Sequence, residues 1–108
     1  MSTEITIAEE RHDWICRFSA QVKGVAPLQA RYSSYRFRPT HVLISYEFSG
    51  DGWRFISARI TGFQVRKDGS DSMNIREQVY SKYDLSSGEA PDWLQKIATD
   101  HLPKGIPS

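Results

Sequence analysis

Apolar and polar positions alternate with a period of two through much of the chain, the pattern of strands with one buried face. It is clearest in residues 40–65. There Val42, Ile44, Tyr46 and Phe48 alternate with Leu43, Ser45 and Glu47, and Ile56, Ala58 and Ile60 alternate with Ser57, Arg59 and Thr61. Gly50-Asp51-Gly52 separates the two runs and predicts a hairpin with a three-residue loop, Gly52 taking a left-handed conformation. In the resulting register Ser49 faces Trp53, Phe48 faces Arg54, Tyr46 faces Ile56, Ile44 faces Ala58 and Val42 faces Ile60. One side then collects the best apolar positions, and a slip of one residue would scatter them. Trp53, Phe55 and Leu43 fall on the other side, which predicts either a second cover or an exposed patch. A phase change at Gly62-Phe63 predicts a bulge.

Residues 14–22 form a further strand pattern, with Trp14, Cys16, Phe18, Ala20 and Val22 on one face. Residues 4–8 suggest a short first strand with Ile5 and Ile7 inward. Residues 23–39, bounded by Gly24, Pro27 and Pro39, read as a long irregular connection, with room for a short helix around 28–32. After a turn at Asp68-Gly69, Met73, Ile75 and Val79 support a strand through about Tyr80, and residues 82–88 read as a polar linker. A helix over about 91–102 opens at Pro91 beside acidic Glu89 and Asp92, and Pro103 and Gly105 stop it. Trp93, Leu94, Ile97, Ala98 and His101 make its apolar stripe. A helix this short needs a sheet to dock on.

These elements predict one α+β domain over residues 1–108: an antiparallel sheet of four or five strands with one C-terminal helix packed on one face. The predicted core includes Trp14, Cys16, Phe18, Val42, Ile44, Tyr46, Ile56, Ile60, Trp93, Leu94 and Ile97, with Trp93 as the helix anchor.

Composition narrows the function classes. The chain has 108 residues and a formal net charge of +1, which gives no global argument for nucleic acid or an anionic membrane. Cys16 is the single cysteine, so an intrachain disulfide and a Cys-rich zinc site are excluded. The acidic start, without an apolar core segment, is not that of a secretory signal, and no apolar run reaches the roughly 18 residues of a membrane span. A cytoplasmic protein without cofactor is the expectation.

Two surfaces stand out. The first is Trp53, Arg54 and Phe55, aromatics beside an arginine, the residue types of a protein-binding hot spot. The second is Arg31, Tyr32, Tyr35, Arg36 and Arg38, in a stretch where residues 15–45 contain no acidic residue. Arginines interleaved with aromatics suit phosphate contact and base stacking. Catalytic patterns are thin. His12, His41 and His101 lack metal-ligand spacing, and Ser45 and Ser57 lie opposite each other but roughly 13 Å along the strand from His41.

The run ARITGFQVRKDGS, followed by a strand and PDWLQKIATDHLP, resembles small uncharacterised proteins of actinobacteria and their phages. The shared positions are Gly62, Lys67-Asp68-Gly69, Pro91-Asp92-Trp93 and His101-Leu102-Pro103, covering roughly half the chain. The resemblance implies a phage or prophage accessory gene and carries no catalytic residues. From the surfaces and the thin catalytic patterns, the leading expectation is a non-enzymatic interaction protein that binds a protein partner, or itself as a homodimer, through a sheet face or edge. The alternative is a nucleic-acid-binding module using residues 31–38, and a small hydrolase is a distant third.

Overall fold

A computed structural model describes residues 6–12, 14–50 and 52–106, the first of these stretches by its backbone alone. Its elements are β1 (Thr6–His12), β2 (Ile15–Gln21), β3 (Leu28–Gln29), β4 (Arg36–Ser49), β5 (Gly52–Val65), β6 (Asp71–Ser81), α1 (Lys82–Ser87) and α2 (Asp92–Asp100). The five long strands form an antiparallel meander in the order β1-β2-β4-β5-β6, and β3 adds a short pairing to β4. The predicted fold class holds. The expected inward placement of Ile5 and Ile7 concerns side chains outside the described residues.

Cys16, Phe18, Ala20, Val42, Ile44, Ala58 and Ile60 are buried on one face, under Leu94, Ile97 and Ala98 of α2. Tyr46 ties the layers together: its hydroxyl donates to the Ala98 carbonyl at 2.8 Å. That carbonyl belongs to the last turn of α2, where the helix supplies no N–H donor of its own. Burial pushes the Tyr46 phenol pKa well up, and the Cys16 thiol adds to the effect, so the hydroxyl stays a donor. The indole of Trp53 donates to the Gly105 carbonyl at 3.1 Å and fastens the chain beyond the helix.

Length explains where this cover ends. The nine residues of α2 span about 13 Å, whereas the 14-residue β4 and β5 each span about 46 Å. The helix therefore covers only part of its face. Trp14, predicted in the core, lies just before β2 at the rim and is 58% exposed, its ring 5.6 Å from Phe48.

The central hairpin corrects the predicted register near its turn. The pairs Val42–Ile60, Ile44–Ala58 and Ser45–Ser57 form as expected, but Tyr46 then pairs with Phe55, Phe48 with Trp53 and Ser49 with Gly52. The connection is one residue shorter than predicted, and Ile56 becomes the extra residue of a bulge. Ile56, expected in the core, is only half-buried. The bulge turns Trp53 and Phe55 to the helix side, where they meet Phe48 and Tyr46 edge-on at 5.5 and 6.3 Å.

The predicted bulge near Gly62 appears on both flanks of that strand. Thr40 is extra in β4 between Pro39 and His41, and the pairing with β6 shifts between Phe63 and Val65. Pro39 falls between the pairings of β4 with β3 and with β2, an interruption in the ladder that suits a residue without an N–H.

Two further segments differ from the sequence reading. Residues 28–37 are a small hairpin rather than loop or helix: Leu28 pairs with Phe37 and Gln29 with Arg36, and Phe37 is fully buried. Residues 82–87, read as linker, form α1. Its Ser81 side chain accepts the Tyr83 and Asp84 N–H groups while Asp84 accepts the Ser81 N–H, and Gly88 closes the helix at φ 81°.

Candidate functional site

The arginine-rich segment is divided by its own ion pairs. Arg31 leaves the turn of the 28–37 hairpin and reaches α1, donating to Asp84 Oδ1 at 2.9 Å and to Glu89 Oε2 at 2.8 Å. Its backbone N–H also donates to Gln78 Oε1 at 3.3 Å. Arg38, near the start of β4, pairs with Asp71 of β6 at 3.0 Å. Arg36 is exposed, Tyr32 projects into solvent, and Tyr35 packs under the Arg76 guanidinium at 4.6 Å. The five residues do not form one stacking platform, since Arg36 and Arg38 alternate with buried Phe37 while Arg31 turns to α1.

The Arg31 guanidinium, with help from the Ser81 N–H, holds the Asp84 carboxyl down to about 2. The folded value lies below the ordinary one of roughly 3.9, so the stabilisation is present above pH 4 and is lost as pH falls towards 2. Asp84→Asn should be less stable than the parent at neutral pH and should lose less stability between pH 4 and 2. Urea midpoints across that range measure it, and parallel curves for the two proteins would contradict the clamp.

The expected hot spot at Trp53, Arg54 and Phe55 is corrected by the bulge. Trp53 is only 7% exposed and Phe55 packs on the core, leaving Arg54 alone at the surface opposite Glu47. Ser45 and Ser57 do pair, and His41 pairs with Thr61 four positions along β4, its Nδ1 2.9 Å from Thr40 Oγ1. No nucleophile–base contact results. Among the described residues no three His, Cys, Asp or Glu side chains gather as metal ligands, and no helix is long and apolar enough to cross a membrane.

The conspicuous surface lies elsewhere, on the sheet face away from α2 and at its β6 margin. Met73 is 88% exposed, Ile75 64% and Val79 55%. Phe63, also exposed, pairs with Ile75 across β5 and β6. Gln78 and Tyr80 alternate with Ile75 and Val79 and are the residues that β6 buries. The sequence reading recognised this strand without assigning its faces. What inverts the usual pattern is the 28–37 hairpin: the Arg31 N–H donates to the Gln78 amide oxygen, and the Arg31 guanidinium lies 5.7 Å over the Tyr80 ring. The signal in the sequence was the capping pair Ser81 and Asp84 with Gly88, which marks α1 as a helix but does not point to Arg31. β6 ends the strand order, so among the described residues its outer side has no strand partner.

A groove of about 680 Å³ lies between α2 and residues 25–28, with Val25, Leu28, Trp93 and Ile97 along it. On its rim Lys96 is paired with Asp100 at 3.1 Å. It contains no apposed nucleophile and base.

Comparison of the chain with protein-family models, curated proteins and solved structures returns no match.

Proposed function

We propose that the protein is a non-enzymatic interaction module that acts by strand addition at β6. The observation that carries this reading is the coincidence, on one edge strand, of an open hydrogen-bonding side with exposed Met73, Ile75 and Val79. An added strand gains main-chain hydrogen bonds along the edge, while the alternating side chains supply specificity. Edge strands in folded proteins are commonly blunted by charge, proline or a short length. β6 is 11 residues long, lacks proline and presents three apolar side chains outward. The nucleic-acid alternative is weakened because Arg31 and Arg38 are already paired with carboxylates.

Selection from a displayed library of random ten-residue peptides tests the reading. Enriched peptides should be rich in β-branched residues, should slow amide exchange in β6, and should lose binding to Val79→Glu. Binding that maps to the α2 groove, or salt-sensitive oligonucleotide binding abolished by Arg36→Glu, would replace it.

A further inference from the structure

We infer that the strand received by β6 is β6 of a second copy, paired antiparallel about a two-fold axis at Gln78. This inference rests on the strand-addition reading and adds the identity of the partner.

An antiparallel pair related by a two-fold axis keeps both open faces on one side of the joined sheet, and the axis must pass through a residue that faces itself. The regular part of β6 limits the choice. Residues 75–81 pair without interruption to residues 57–63 of β5, whereas the ladder shifts between Ile75 and Asp71. An axis at Ile75 would draw the irregular stretch into the contact, and one at Val79 would run into α1. An axis at Arg76 or Glu77 would set like charges directly opposite, which is destabilising. An axis at Gln78 uses the whole regular stretch. It places Glu77 opposite Val79, Arg76 opposite Tyr80 and Ile75 opposite Ser81, with no like charges directly opposite; the two Glu77 carboxylates are diagonal neighbours, each beside Arg59 of its own chain.

On the open face this register makes Val79 a diagonal neighbour of both Val79 and Ile75 of the other copy, at about 7–8 Å. The joined face then carries Ile75 and Val79 of both copies around the two exposed Glu77 side chains, and continues to Phe63 on either side. The other sheet edge is less suited to the same role, because β1 carries three consecutive charges, Glu9-Glu10-Arg11, against the two of Arg76-Glu77 in β6. A seven-residue contact is about 24 Å long and lies at the small end of specific interfaces, so half-association is expected at tens of micromolar, about 10–100 µM.

Sedimentation equilibrium of the full chain over about 5–500 µM should show the mass rising from 12.4 kDa towards twice that value. Amide exchange in β6, and not in β1, should slow as concentration rises. Val79→Glu places a carboxylate opposite Glu77 of the other copy and should weaken association at least tenfold. Within its own chain that carboxylate lies opposite Arg59, so the monomer's melting temperature should not fall. A mass that stays at 12.4 kDa throughout would overturn the dimer. Success of the peptide selection would in that case preserve the strand-addition reading, and failure of both would remove the β6 edge altogether. A dimer that survives Val79→Glu with β6 unprotected would also overturn the proposal, because its interface would lie elsewhere.

Discussion

Gly62→Ala should destabilise the protein by about 3 kcal/mol or more, the larger end of what overpacking a closed site costs. A Cβ built at this position would stand 2.0 Å from the Arg38 carbonyl oxygen, 2.6 Å from its carbon and 2.9 Å from the Pro39 Cα. All three are backbone atoms of the neighbouring strand, so no side chain can rotate aside to make room. The cost is one of space. The conformation of Gly62 is not in the positive-φ region, unlike that of Gly69 at the following turn. Gly62 pairs with Pro39 on one side and Arg76 on the other, beside the Thr40 bulge. The substituted hairpin must open there, and opening it disturbs the fully buried Phe37 beyond. Urea denaturation followed by far-ultraviolet circular dichroism reads the effect. A loss below about 0.5 kcal/mol, the range of an uneventful surface change, would mean that the strands do not approach as described.

How much of this was legible in the sequence depends on the range of the forces involved. Alternation is local, so β2, the register of residues 42–45 with 57–60 and the stripe of α2 could be read directly. The Ile56 bulge could not, because it arises from competition between a favoured loop length and the burial of Trp53 and Phe55 against Phe48 and Tyr46. Turn chemistry is worth less than two large aromatic side chains taken out of water. The 28–37 hairpin and α1 were missed together, and for one reason. Each is short, and they are held to each other by Arg31 on Asp84 across 53 positions of sequence. The candidate site moved accordingly. The predicted aromatic hot spot went into the core, and the exposed margin emerged on β6, whose inner face is occupied by Gln78 and Tyr80 only because the hairpin lies above them.

The docking of α2 gives the second large effect and bears on the same question of faces. The sequence points to Trp93 as the anchor, by size; the structure assigns that role to Leu94, which is fully buried, while Trp93 is half-buried along the 680 Å³ groove. Leu94→Ala is expected to cost about 3–4 kcal/mol, from lost burial plus the cavity left beneath the helix, and Trp93→Ala only about 1–2 kcal/mol. The order matters more than either value. Successive helix residues point about 100° apart, so a helix anchored by Trp93 would be rotated by nearly a third of a turn. That rotation would close the groove, withdraw the Ala98 carbonyl from the Tyr46 hydroxyl and separate His101 from Phe18, whose rings now stack at 4.5 Å. Equilibrium unfolding of the two variants therefore fixes the helix orientation. A larger loss for Trp93→Ala would refute the packing described. The expected order would support a sheet firmly covered on the Tyr46 face, with its opposite face left uncovered by α2 along the β6 margin.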